Sequence, residues 1–148
     1  MTTIRRSFVL ISPLVLIFAF SISPAFSGDY ENLTVTPIRK TTTTTDGRKV
    51  AYPKTEMPEV TAITVEIPVG GETGWHTHPV PVYAYVLAGE LGVEMENGGN
   101  YSFKEGDAIV EVVNMAHNGR NTGKMPVKLV VFYTGVEGSP NTIKVQHK

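Results

Sequence analysis

Residues 70–78 read Gly70-Gly71-Glu72-Thr73-Gly74-Trp75-His76-Thr77-His78, and Met115-Ala116-His117 carries a third histidine further along. On an extended strand, residues two apart point to the same side, so His76 and His78 present two imidazoles in one direction. Neutral imidazole is a good ligand for Zn, Fe, Ni and Cu. His117 completes a facial set of three if its strand lies beside the first. An isolated H-x-H has a plainer explanation as two half-exposed histidines on a strand edge, so the surroundings must decide.

Those surroundings are all-β. Val60, Ala62, Thr64 and Glu66 alternate with Thr61, Ile63, Val65 and Ile67, which predicts a strand with one more apolar face. Further strands are expected over Tyr83–Ala88, Leu91–Glu96, Tyr101–Phe103, Ala108–Val113 and Val127–Tyr133. Gly89-Glu90 and Asn97-Gly98-Gly99-Asn100 separate neighbours as turns that tolerate positive φ. After Gly28 no stretch sustains a capped 3.6-residue period, and many short strands with glycine turns mean a sandwich or small barrel. Upstream, the threonine run Thr41–Thr45 leads into Asp46-Gly47 and Lys49-Val50-Ala51-Tyr52. This segment reads either as a hairpin or as a loosely attached arm.

The two histidine segments resemble the paired motifs of the cupin superfamily. In cupins the first motif is Gly, five residues, His-x-His, three or four residues, Glu, six residues, Gly; Gly70, His76, His78 and Gly89 fall on it without a gap. The second is Gly, five residues, Pro-x-Gly, two residues, His, three residues, Asn; Gly106, His117 and Asn121 fall on it. The resemblance covers Glu59 to Gly135. It implies an all-β double-stranded β-helix, the cupin or jelly-roll barrel, with a metal inside one mouth. It also implies a homodimer and a small-molecule ligand or substrate. Cupins include dioxygenases, isomerases, epimerases, storage proteins and sugar binders, so the fold does not give the function.

Val82 stands where the first motif has glutamate, and Val112 and Asn114 stand where the second has proline and glycine. Asn tolerates left-handed backbone, so the turn before His117 can survive. The Val82 change is chemical. It leaves His76, His78 and His117 as three neutral ligands with no carboxylate from the usual place, and favours anionic or chelating oxygen ligands in the open positions. The set resembles the three-histidine iron sites of thiol and diketone dioxygenases among the cupins. The expected cofactor is one divalent transition metal per chain, Fe(II) before Mn, Ni, Cu or Zn. The alternative is a binding barrel whose histidines hold a weak metal or none.

An inward Val82 sends Ala84 and Val86 inward too, and Tyr83, Tyr85 and Leu87 outward. That outward row is either a dimer surface or a surface packed under the N-terminal arm. Glu111 complicates the site. It lies among Ala108-Ile109-Val110 and Val112-Val113, where an unpaired carboxylate is costly. It reads either as a substitute ligand, histidine acceptor or catalytic candidate, or as an outward residue at a strand end; inward Val110 and Val112 would conflict with the former. Trp75, Asn114, Met115 and Arg120 flank the ligands. Arg120 reads as a substrate clamp or, more simply, a solvated side chain, and His147 as a tail residue.

Composition narrows the classes. The 148 residues are 41% hydrophobic and 18% charged, which suits one domain. The net charge is -1 without basic runs, which argues against capture of nucleic acid or an anionic membrane surface. Absence of cysteine excludes disulfides, thiolate catalysis and zinc-thiolate sites. Arg5-Arg6, an apolar run from Phe8 to Ile22 and the small residues of Ala25-Phe26-Ser27 read as a signal peptide cleaved after Ser27. The alternative, a retained anchor, needs about 20 apolar residues. Arg5–Val9 also resembles a twin-arginine signal, although the strongly apolar run fits the general secretory route better. The expected organisation is a signal peptide at 1–27, an arm at 28–58 and a barrel at 59–148, in a periplasmic or secreted protein free of the membrane once mature. Two functions remain: a metal-dependent, dioxygenase-like oxidoreductase acting on a small molecule, or a non-catalytic small-ligand or sugar binder.

Overall fold

The computed structural model describes residues 33–146, and from Val35 onward they form one compact unit. The signal segment 1–27, the start of the arm and His147 lie outside the described residues. Among the described residues nine strands follow one another: β1 Pro58–Ile67, β2 His76–Thr77, β3 Val82–Ala88, β4 Glu90–Met95, β5 Asn100–Lys104, β6 Ala108–Val110, β7 His117–Asn121, β8 Val127–Val136 and β9 Ile143–Lys144. No helix occurs among the described residues. The strands form two antiparallel sheets, ordered β1-β8-β3-β6 and β5-β4-β7-β2-β9. This is the double-stranded β-helix.

Alternation in the sequence becomes the two faces of each strand. In β3, Val82, Ala84 and Val86 are buried while Leu87 is exposed. In β8, Val127, Leu129, Val131 and Tyr133 point inward, and Lys128 and Phe132 outward. These inward residues pack with Ile67, Leu91 and Ile109 into one core. Fully burying each large aliphatic side chain stabilises the fold by about 1.5–3 kcal/mol before entropy is counted. The turn from β3 to β4 depends on Gly89, whose φ is +86° and where a Cβ would lie 2.8 Å from the Pro126 carbonyl oxygen.

Two expectations change. Among the described strands β1 is an edge strand paired only with β8, and its more apolar face is only partly covered: Ile67 is buried, Thr61 and Val65 are half-buried and Ile63 is 39% exposed. β6 ends at Val110 rather than Val113. Ile109 and Glu111 therefore share its inner side, Val110 takes the outer, and Val112 is buried after the chain has left the strand. The conflict foreseen between inward Val112 and inward Glu111 does not arise.

The threonine run forms a small hairpin, with Thr43 bridged to Lys49 and Arg48 paired to Asp46 at 2.6 Å. Thr45 donates to the Val110 carbonyl through its backbone N–H at 2.8 Å and its hydroxyl at 2.9 Å. That covers the free edge of β6, which would otherwise present unpaired backbone. Tyr83 shares a cavity with Val50 and Ala51 of this segment, so part of the outward aromatic row lies under the arm.

Candidate metal centre

β2 and β7 are antiparallel neighbours, with His76 opposite His117. His78 follows directly after β2, where its carbonyl accepts a 2.8 Å bond from Asn114 N–H. Asn114 has φ +54°, the left-handed conformation expected at this turn. The three rings lie 4.4–5.1 Å apart between centroids, and one nitrogen from each falls within 4.8 Å of the others. His78 and His117 are buried, and His76 is half-buried.

Each ring is oriented by a backbone carbonyl. His76 Nδ1 donates to Gly74 O at 2.7 Å, His78 Nδ1 to Asn141 O at 2.8 Å and His117 Nδ1 to Met115 O at 3.0 Å. A carbonyl can only accept, so each Nδ1 carries a proton, and in the neutral ring each Nε2 is left with a lone pair. His117 Nε2 is buried with no aligned hydrogen-bond partner. Three convergent imidazole acceptors, one of them orphaned, fit a divalent transition metal.

Glu111 comes to the same point. Its Oε2 lies 3.1 Å from His78 Nε2 and 3.3 Å from His117 Nε2. Burial pushes the carboxyl upward, but contacts with His117 and His78 outweigh it and hold the group well below the usual carboxylate range. Burial lowers the basicity of His117, yet the Glu111 carboxylate facing its Nε2 outweighs that and raises it by favouring the protonated ring. For His76, burial dominates and lowers the basicity, helped by the neighbouring His117 and His78.

The cluster stands between two cavities. The inner one, about 50 Å³, lies among Leu91, Met95, Phe103, Ile109 and Leu129, with His76, His117 and Glu111 at its wall. The outer one, about 190 Å³, meets His76 and His78 together with Tyr133, Thr142 and Lys144. Tyr133, Asn141, Thr142 and Lys144 carry no local signal in the sequence, since β8 and β9 bring them to the cluster through long-range pairing. Tyr133 lies 5.6 Å from the His78 ring between centroids, and burial raises its hydroxyl pKa. Thr73 was also silent in the sequence. Its hydroxyl oxygen accepts from Gly119 N–H at 2.9 Å and ties β7 to the segment before β2. Arg120 is exposed and paired with Glu72 at 3.0 Å, away from a clamping role. Met115 contributes its carbonyl to His117.

Residues 63–133 match the family model for the cupin domain. Among curated proteins none matches the sequence. Among solved structures, an oxalate oxidase in complex with the substrate analogue glycolate is similar at 26% identity and TM-score 0.50, over 58% of this chain and 46% of that one. A DMSP lyase from Ruegeria pomeroyi is similar at 24% identity and TM-score 0.51, over 57% and 42%. An oxalate decarboxylase from Lactobacillus farciminis, in a formate complex, is similar at 24% identity and TM-score 0.51, over 58% and 26%. The similar region thus spans less than half of each of these chains, and the latter two likenesses concern the fold alone. The region 63–133, a double-stranded β-helix with both histidine motifs in register, is a cupin domain.

Proposed function

We propose that this protein is an exported, metal-dependent cupin that acts as a dioxygenase-like oxidoreductase on a small molecule, with His76, His78 and His117 holding one divalent transition metal, Fe(II) by preference. The observation that carries the reading is the shared tautomer: three Nδ1–H groups fixed on carbonyls leave three Nε2 lone pairs aimed at one point. When bound, the metal supplies Lewis-acid polarisation of a ligand oxygen and, if Fe(II), one-electron chemistry.

The chain's own residues supply the remainder. Gly74, Asn141 and Met115 carbonyls hold the imidazole planes. Leu91, Phe103 and Ile109 make the inner wall apolar and limit water behind the site. A ligand entering through the outer cavity meets Tyr133, Thr142 and Lys144, which offer hydroxyl and ammonium donors suited to an oxygen-rich small molecule. The glycolate complex of the oxalate oxidase is consistent with a ligand of this kind. Exposed Leu87 and Phe132 on the outer sheet face are the side chains a homodimer would bury.

Purified protein is expected to carry close to one transition metal per chain, lost in His76→Ala and His117→Ala, by elemental analysis. The Fe(II) form is expected to consume oxygen with a thiol, diketone or catechol-like compound. Wild-type protein that stays metal-free after reconstitution with Fe, Mn, Ni, Cu and Zn would sink the metal reading. Metal binding without oxygen uptake on any of these compounds would shift the assignment to a non-catalytic small-ligand or sugar binder.

A further inference from the structure

We infer that Glu111 supplies a fourth, anionic ligand at this centre, from the strand neighbouring the one on which the cupin motif carries its carboxylate. The inference rests on the metal reading above and deepens it, replacing a neutral three-imidazole set with three imidazoles and one carboxylate.

The register of the sheet carries the argument. β3 and β6 pair Tyr83 with Val110, Ala84 with Ile109 and Tyr85 with Ala108. One step further, Glu111 stands opposite Val82, and its N–H donates to the Val82 carbonyl at 2.9 Å. Directly opposed residues of an antiparallel pair project from the same face, with Cβ atoms about 4.5–5.5 Å apart. Val82 is 1% exposed and faces inward. Glu111 therefore enters the barrel beside the position of the missing glutamate, displaced by one strand.

Its side chain completes the case. Oε2 lies within 3.3 Å of two Nε2 atoms that are acceptors in the neutral, Nδ1-protonated rings. A carboxylate oxygen and two imidazole lone pairs facing one another at this range are satisfied together by a shared cation. The carboxylate also offsets one unit of the metal's charge and adds a hard oxygen donor, which favours Mn(II) and Fe(II) more than imidazoles alone do. Glu111 is a ligand in this arrangement and not a free acid–base group.

The test uses Co(II) alone as the probe, with affinity from competition against a chelator and the ligand field from visible absorption. Glu111→Ala is expected to weaken Co(II) binding by at least about 100-fold, beyond the usual effect of an outer-shell partner, and to change the spectrum. Val82→Glu in the Glu111→Ala background is expected to restore affinity to within about 10-fold of wild type. Glu111→Gln, which keeps the shape of the side chain, is expected to change the spectrum as well and serves where the alanine variant fails to fold. Wild-type binding that Glu111→Ala and Glu111→Gln both retain, with an unchanged spectrum, overturns the inference alone. Loss in Glu111→Ala that Val82→Glu does not restore overturns the claim that the carboxylate has moved between neighbouring strands. If wild type itself binds no Co(II), the metal reading falls and this inference with it.

Discussion

His76, His78 and His117 each bind a backbone carbonyl through Nδ1, so ring orientation is a property of the main chain around them. Single side chains elsewhere do comparable work on the loops. Asn114 adopts the left-handed turn that glycine usually fills in the second motif. Asn121, the last residue of that motif, is buried and makes no contribution to the donor cluster. Its Nδ2 donates to Ile67 O at 3.0 Å and Met125 O at 2.8 Å, and its Oδ1 accepts from Gly123 N–H at 2.9 Å. Asn121→Ala strips the buried Ile67 carbonyl of its donor, costing about 1–3 kcal/mol, and the part-buried Met125 carbonyl of its own, costing about 1 kcal/mol. A total loss of about 2–4 kcal/mol is expected in denaturant unfolding, with metal stoichiometry unchanged in the folded fraction.

Element by element, the least conspicuous segments position the most chemistry. β2 has only two residues, too few for any periodicity, and β7 contains asparagine and glycine that disfavour strands by themselves. Both exist because flanking strands pair with them. β9 is equally short. It runs beside β2, with Lys144 opposite His76, and Asn141, two residues before it, lends its carbonyl to His78. Asn141 is pinned by its own side chain, which donates to Thr61 Oγ1 at 3.0 Å and approaches Gly135 where a Cβ would lie 2.9 Å away. Asn141→Ala is expected to weaken metal affinity by about 10-fold through a loosened His78, while unfolding stability falls by only about 1 kcal/mol. Isothermal titration and denaturant melts separate the two effects; unchanged metal affinity would remove this segment from the site.

At the scale of the whole molecule, one core lies between two sheets, and the donor cluster lines both an inner cavity and an outer one, where Thr142 and Lys144 stand beside Val65, Leu129 and Val131. The arm is part of this plan, because Thr45 closes the β6 edge next to Glu111. The export reading rests on Arg5-Arg6, the apolar run Phe8–Ile22 and the small residues before Gly28. Protein recovered outside the cytoplasm is expected to begin at Gly28 by N-terminal mass analysis and to elute as a dimer by light scattering. An intact N-terminus would refute cleavage, and a monomer at high concentration would refute the dimer.

Much of the architecture was legible because it depends on local pattern. Strand alternation in Val82–Ala88 and Val127–Tyr133, glycines at fixed turns and two spaced motifs are features of a linear chain. The histidine set was legible for the same reason, since a two-residue spacing and one paired strand bring the rings together. Asn141, Tyr133 and Lys144 were not, because sequence-distant strands deliver them. Glu111 marks the boundary most sharply. Its presence and the loss of glutamate at Val82 can be read from the sequence alone. That the two positions face each other follows only from the pairing of β3 with β6, because strand register is fixed by tertiary packing and a one-residue slip would turn the carboxylate to the opposite face.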